Sequence, residues 1–135
     1  MKNLNNLVEA NIDSVVFEES TKEIRLNLTS PWEDKQRHQI IATAIEDFVI
    51  DQMRISNIVD RINLFSAENF NESKSSAAEL LFYLLRGVEP EPDDLKWDVL
   101  EKKLEEIKQG KLTLLEVEPV YGARIVILAQ TIKVQ

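Results

Sequence analysis

Near its C-terminus the chain reads Arg124-Ile-Val-Ile-Leu128, a run in which apolar side chains occupy consecutive positions. Successive side chains of a β-strand point to opposite faces, so this run is apolar on both faces. Ile132 and Val134 continue the pattern on one face, and a turn is predicted before the run, at residues 118–122. A strand that is apolar on both faces lies inside a sheet, with helices covering at least one face. The stretch therefore predicts a central strand in a protein that contains strands and helices.

The N-terminal part of the chain has the pattern of a β-hairpin. Residues 12–17 and 24–28 carry apolar side chains at alternate positions, and the polar segment 18–22 separates them. This alternation is typical of strands with one buried face. Pro31 ends the second strand because proline cannot donate a hydrogen bond to a sheet ladder.

The segment from residue 31 to residue 65 fits two interpretations. Apolar side chains in residues 39–50 recur at helical spacing, but β-branched and aromatic residues are dense there and suit a pleated surface better. Residues 57–65 present the same choice between helix and strand. We favour strands at 39–50 and 57–65, joined by a turn at 51–54. Residues 66–75 are polar and are expected to form a loop.

Two helices are predicted between the strands, at about residues 76–87 and 94–109. Ser76 and Glu79 have the spacing of a capping box, and the second helix carries an apolar stripe that includes Trp97. Strands first, helices in the middle and strands last predict an α+β fold. We expect a largely antiparallel sheet of about five to six strands with the two helices packed on it.

Length and composition are those of an ordinary globular protein. The 135 residues match one domain, so we expect a single globular domain over residues 1–135. The chain contains no cysteine, which excludes disulfides and thiol chemistry. Its first residues lack the apolar core of a secretory signal, and residues 80–85, the longest apolar run, are too short to span a membrane. These features favour a cytoplasmic protein.

The net charge of −8 limits the class of partner. Nucleic acids and anionic membranes require clustered lysine and arginine, so neither is expected to bind. An acidic surface attracts a basic protein through long-range electrostatic steering. A basic protein partner is therefore the expectation, and the oligomeric state is left open.

No motif commits the chain to a reaction. His38 is the one histidine, and its polar neighbours indicate a solvent-facing position. The glycines are too far apart to form a phosphate-binding loop. Carboxylates cluster at 33–34, 46–51 and 89–94, where solvation explains them better than catalysis or metal binding. We therefore expect no catalytic residue, no cofactor and no metal, and we disfavour an enzyme.

The residues that could contact a partner are acids on loops and one tryptophan. Trp32 follows Ser-Pro in a polar stretch, where it is either an exposed anchor or a side chain folded back over the sheet. The partner-binding residues predicted from these features are Trp32, Glu33, Asp34, Glu89, Glu91, Asp93 and Asp94.

The layout resembles small acidic bacterial immunity proteins of toxin–immunity systems. The segments that carry the resemblance are Leu28-Thr-Ser-Pro-Trp-Glu33, residues 48–59 and Glu118-Pro-Val-Tyr-Gly-Ala-Arg-Ile-Val126. It implies a non-enzymatic protein that neutralises a basic toxin by covering its active surface, and it assigns no role to individual residues. Two alternatives stay open: a small enzyme or ligand-binding domain with a pocket assembled by the fold, and a structural subunit that self-associates through an edge strand, for which the C-terminal strand is the candidate.

Overall fold

A computed structural model describes residues 4–32 and 34–135 of the chain. Short 3-10 helices lie at Leu4–Leu7, Ala67–Asn69 and Pro92–Leu95. The main elements, in chain order, are β1 (Asn11–Glu18), β2 (Glu23–Thr29), β3 (Arg37–Asp51), β4 (Ile58–Phe65), α1 (Phe70–Arg86), α2 (Asp98–Lys108), β5 (Thr113–Tyr121) and β6 (Arg124–Val134). The predicted α+β fold with an antiparallel sheet and two helices is confirmed.

The six strands form a closed antiparallel barrel in the order β1-β2-β3-β6-β5-β4. A single residue pair, Asn11 with Ile58, joins β1 to β4 and closes it. The chain before β1 then runs along β4: the Glu9 N–H donates to the Val59 carbonyl at 2.7 Å, and the Val59 N–H donates to the Ala10 carbonyl at 2.9 Å. Closure therefore depends on a short contact at one corner rather than on a full ladder.

The barrel separates two apolar cores. The interior core contains Ile125 and Ile127 of β6, and the second core, between the barrel wall and the helices, contains Val126 and Leu128. These four consecutive side chains alternate between the cores, so the prediction that this run is buried on both faces is confirmed. Because β6 pairs with β3 on one side and β5 on the other, the idea that the C-terminal strand is a free edge is wrong.

The two strands predicted within residues 31–65 are confirmed as β3 and β4. The helical spacing in β3 has a structural cause. Ile40 and Ala42 point inward at the strand period of two, but Ala44 takes a positive φ of 52° and a bulge follows between Ile45 and Asp47. The bulge shifts the inward position by one residue because it places two residues opposite one. The inward position also moves by one residue across Ala44, where the pairing register with β6 does not change.

The loop predicted at residues 66–75 is wrong, because α1 begins at Phe70. Asn69 fixes this helix start: its side-chain oxygen accepts from the Ser66 N–H at 3.0 Å, and its amide donates to the Leu64 carbonyl at 2.7 Å. Phe70 is buried in the second core, between the barrel wall and the helices, and anchors the first turn. The C-terminal end at Gly87, with a φ of 77°, is as predicted.

Three smaller differences concern α2, His38 and the last turn. The second helix begins at Asp98, after the 3-10 helix, and half-buried Trp97 precedes it instead of lying within it. The solvent-facing position of His38 is wrong: this residue is buried in β3, opposite Leu28 and on the same face. The turn at 118–122 is shorter than predicted, because β5 continues to Tyr121.

Candidate protein-binding surface

Three exposed side chains with large apolar groups lie near one another on the barrel. Met53 and Ile55 lie in the loop of residues 52–57 between β3 and β4, and Tyr121 ends β5. They line one shallow depression together with Arg54, whose guanidinium carbon lies 5.4 Å from the centre of the Tyr121 ring. Ile55 is 104% exposed, so none of its surface is removed from water. We name the group of Met53, Arg54, Ile55 and Tyr121 the apolar tip.

Asn57 holds the loop beneath the apolar tip in one conformation. It is 1% exposed, and its side-chain oxygen accepts hydrogen bonds from the Arg54 N–H at 3.0 Å and the Ala123 N–H at 2.9 Å. Its amide nitrogen donates to the Arg54 carbonyl at 2.7 Å. The buried Asn57 side chain thus bonds the loop internally at Arg54 and attaches it to the β5–β6 hairpin at Ala123.

Gly122 allows this hairpin to approach the loop. Its φ of 89° lies in the left-handed region, where a side chain is strained, and a Cβ at this position would lie 2.3 Å from Asn57 Oδ1 and 2.7 Å from the Ser56 carbonyl oxygen. Glycine is therefore required for both reasons. The loop and the hairpin form a rigid support for the apolar tip.

The composition and rigidity of the apolar tip are those of a contact surface. A fully exposed isoleucine contributes no apolar burial to folding, so packing within the chain does not explain it. Tyrosine and arginine are enriched among the residues that dominate binding energies, and a rigid support reduces the ordering cost of association. The apolar tip can therefore offer a partner a preformed apolar contact with one positive charge beside it.

A second feature, on the outer wall of the barrel, is a charged cleft formed by Asn63, Glu89, Glu116, Glu118 and Arg124. It belongs to a surface cavity of about 560 Å³ between β4 and α1. The Arg124 guanidinium donates to Glu116 Oε2 from Nε at 3.1 Å and from Nη2 at 3.0 Å, and to Glu89 Oε1 from Nη1 at 3.1 Å. Asn63 Nδ2 donates to Glu116 at 3.1 Å and to Glu118 at 2.8 Å.

The groups in the charged cleft satisfy one another. Burial lowers the pKa of Arg124, but its hydrogen bonds and charge interactions with Glu116 and Glu89 outweigh that effect, so the net shift is upward. Glu116 is 8% exposed, and its two oxygens accept from Asn63 and Arg124. The network joins β4, β5 and β6 to the connection after α1. This arrangement favours a role in holding the helices on the barrel.

Tyr83 of α1 extends the network to β3. The Arg124 guanidinium lies 4.1 Å from the centre of its ring, and its hydroxyl donates to Asp51 Oδ2 at 3.2 Å. Burial, and then the hydrogen bond to Asp51, raise the pKa of Tyr83 above its ordinary value of 10.0. Tyr83 is therefore expected to stay protonated at a pH at which an unperturbed tyrosine ionises.

This shift can be measured by alkaline titration of tyrosine absorbance. The chain has two tyrosines, so Tyr121→Phe leaves the signal of Tyr83 alone. We expect a folded-state pKa above that of free tyrosine, and a lower one when Asp51→Asn is added. A raised pKa contributes stability that is complete below about pH 10 and is lost as the pH rises through the folded-state pKa. Ionisation at or below the ordinary value would contradict this account.

The predicted partner-binding residues occupy two separate regions. Trp32 and Asp34 are exposed on the connection between β2 and β3, and Glu33 lies outside the described residues. Trp32 is 56% exposed, so it does not fold back over the sheet. Glu89, Glu91, Asp93 and Asp94 lie between α1 and α2.

These two regions are not brought together. Glu89 contacts Arg124, the first residue of β6, whereas the connection that carries Trp32 leads to Gln39, which pairs through its backbone with Gln135 beyond the other end of β6. The ends of this strand are on the order of 30 Å apart. Some of the acids also have local roles, since Asp94 Oδ2 accepts from the Glu91 N–H at 2.8 Å and Asp93 lies 3.4 Å from Lys96. Whether these residues bind a partner stays a prediction.

The apolar tip was not among the predicted sites, because residues 51–54 were expected only to form a turn. The available signal was the presence of Met53 and Ile55 between two strands, where loops are usually polar. Their exposure depends on Asn57 and on the hairpin at Gly122, which are remote from each other in sequence.

Within residues 4–32 and 34–135, no group of three or more potential metal ligands has the arrangement of a metal site. In the same part of the chain, none of the helices combines the length and apolar character that crossing a membrane requires. Comparisons with protein-family models, with curated proteins and with solved structures find no match to this chain.

Proposed function

We propose that this is a cytoplasmic, non-enzymatic domain that binds another protein, with the apolar tip at the centre of the contact. The observation that carries the proposal is the complete exposure of Ile55 on a loop that buried Asn57 holds rigid. Exposed apolar groups on an ordered support are typical of binding surfaces. Burying Ile55 in a partner would recover the apolar contribution that folding leaves unused.

The charge of the chain supports a basic partner. At a net charge of −8 the domain would attract a positively charged protein and repel acidic ones. The resemblance to immunity proteins adds a specific form of the proposal, in which the partner is a basic toxin whose active surface the domain covers. In this form the acidic residues attract the toxin before contact, and the apolar tip stabilises the bound complex.

Ile55→Asp is expected to weaken partner binding by about 30- to 100-fold, because losing a central anchor costs at least about 2 kcal/mol and each 1.4 kcal/mol is a factor of ten. The partner is first co-purified from native lysate with the wild-type domain and identified. The Kd is then measured by calorimetry on purified proteins. Since the side chain is fully exposed, the melting temperature should stay unchanged.

The matched control is Val88→Asp, which places the same charge at an exposed valine in the connection after α1. It should leave the Kd within about twofold of wild type, because surface substitutions away from a contact have little effect. Equal losses in both variants would show that added negative charge, rather than the apolar tip, is responsible. An unchanged Kd for Ile55→Asp would overturn the proposal.

Steering by charge has a separate test in the salt dependence of binding. Exposed charges are screened over a Debye length of about 8 Å at physiological ionic strength. We expect the association rate to fall as salt is added, and dissociation to change little. Association that is indifferent to salt would remove the basic-partner part of the proposal and leave the role of the apolar tip intact.

A further inference from the structure

One edge of β1 lacks a strand partner over most of its length. The last hydrogen bond from β1 towards β4 runs from the Ile12 N–H to the Asn57 carbonyl at 2.8 Å. Beyond it, residues 14–18 pair with β2 on one side, and no strand among residues 4–32 and 34–135 pairs with the other side. The cause lies in Asn57, whose side-chain hydrogen bonds to Arg54 turn the chain away from β1.

The side chains along this open edge are largely apolar. Phe17 faces the interior side, where its ring packs against Phe48 with a centroid separation of 4.8 Å, yet it stays 42% exposed because no strand covers it. Val16, on the opposite face, is 46% exposed. Asp13 and Glu18 lie at the two ends of the edge. It therefore presents free backbone groups and apolar side chains between two negative charges.

A second copy of the chain fits this edge poorly. In an antiparallel pair of β1 edges centred on Val15, Asp13 of each copy would lie opposite Phe17 of the other and Glu18 opposite Ile12, so neither carboxylate would gain a counterion. A register centred on Val16 would place Asp13 opposite Glu19 instead. Like charges directly opposite each other on paired strands are destabilising. Lysine or arginine opposite Asp13 and Glu18 would form favourable pairs, so charge complementarity favours a basic strand.

We propose that residues 14–18 of β1 accept an extended basic segment of a partner protein, which adds to the barrel as an antiparallel strand. Backbone hydrogen bonds would supply affinity, apolar side chains of the segment would pack against Phe17, and lysine or arginine would lie opposite Asp13 and Glu18. The inference rests on the proposed function, since it specifies part of the partner. The open edge begins beside Asn57, at the end of the loop that carries the apolar tip. One partner can therefore contact both the open edge and the apolar tip.

The test uses a synthetic peptide of alternating valine and lysine, capped at both ends, with a valine–glutamate peptide as the charge control. Hydrogen–deuterium exchange of the full chain is measured with and without each peptide. We expect the valine–lysine peptide to slow exchange in β1, and the valine–glutamate peptide to leave it unchanged. A valine–lysine peptide that is N-methylated at alternate residues should not protect β1, because it cannot complete the ladder.

Glu18→Lys is expected to weaken binding of the valine–lysine peptide about fivefold, since it converts a favourable cross-strand pair into an unfavourable one. Glu105→Lys, an exposed charge reversal on α2, is the matched control and should change the affinity less. Both sites are on the surface, so neither variant removes packing. Equal effects of the two variants would mean that only the overall charge matters, and would overturn strand addition.

The outcomes separate this inference from the proposed function. Peptide binding should survive Ile55→Asp, because the peptide need not contact the apolar tip. If Ile55→Asp abolishes partner binding but the valine–lysine peptide does not protect β1, strand addition fails and the proposed function stands. Protection confined to residues 89–94 would also overturn strand addition. Strand addition by a basic segment would also fail if, without any peptide, protection of β1 increased with protein concentration. That result would identify a second copy of the chain as the occupant.

Discussion

Replacing Arg124 with methionine is expected to lower the free energy of unfolding by about 3–5 kcal/mol, because it leaves a buried carboxylate without its counterion. Glu116 is 8% exposed and would lose the hydrogen bonds from Arg124 Nε and Nη2. The contact with Glu89 and the packing over Tyr83 are lost with them. Urea unfolding followed by circular dichroism measures the change.

Two further variants identify the cause of that loss. Arg86→Met removes another arginine of the same region, whose guanidinium lies 5.3 Å from the centre of the Trp97 ring, and should cost about 1 kcal/mol or less. Adding Glu116→Gln to Arg124→Met should restore a large part of the stability, because no uncompensated charge stays buried. If the double variant is no more stable than Arg124→Met, charge burial is not the reason.

Asn57→Ala is expected to destabilise the protein by about 3 kcal/mol, because it leaves the buried Ala123 N–H without an acceptor and opens the loop of residues 52–57. Partner affinity should fall as well, since the apolar tip loses its rigid support. Thermal and urea unfolding measure the first effect, and calorimetry with the purified partner measures the second.

Ser56→Ala, at the exposed neighbouring position, is the control for this loop. It should change stability by less than about 0.5 kcal/mol, as is usual for a surface substitution. Asn57→Ala that retains wild-type partner affinity would show that the conformation of the loop does not matter for binding.

The parts of the fold that could be predicted from the sequence are those in which a local pattern and the final packing agree. In β2, Ile24, Leu26 and Leu28 alternate strictly and all three are buried inside the barrel. In β6, Val126 and Leu128 point to the helices, while their neighbours point inward. No later contact overrides either pattern.

Other parts depend on contacts between distant segments. The sequence at the start of α1 is polar, and Asn69 there bonds Leu64 and Ser66. Only Phe70 indicates the buried side of this turn. Barrel closure through Asn11 and Ile58 has no local signal at all. The sequence therefore indicated the strands and the helices but not the way in which the sheet closes.

The candidate site was the least predictable feature for the same reason. Acidic residues and Trp32 were predicted to bind a partner because of their residue type, but the structure places them in two separate regions. The apolar tip depends on a close approach between Asn57 and Gly122, which requires the complete fold. Charge can be read from composition, whereas the exposure of a single isoleucine cannot.

The claim that the apolar tip is the contact surface can be tested directly by hydroxyl-radical footprinting of the complex with the purified partner. Met53 and Tyr121 are exposed and susceptible to oxidation, and exposed Trp32 provides an internal comparison in the same chain. We expect oxidation of Met53 and Tyr121 to be suppressed in the complex while that of Trp32 continues. Protection of Trp32, with Met53 and Tyr121 oxidised as in the free protein, would contradict it.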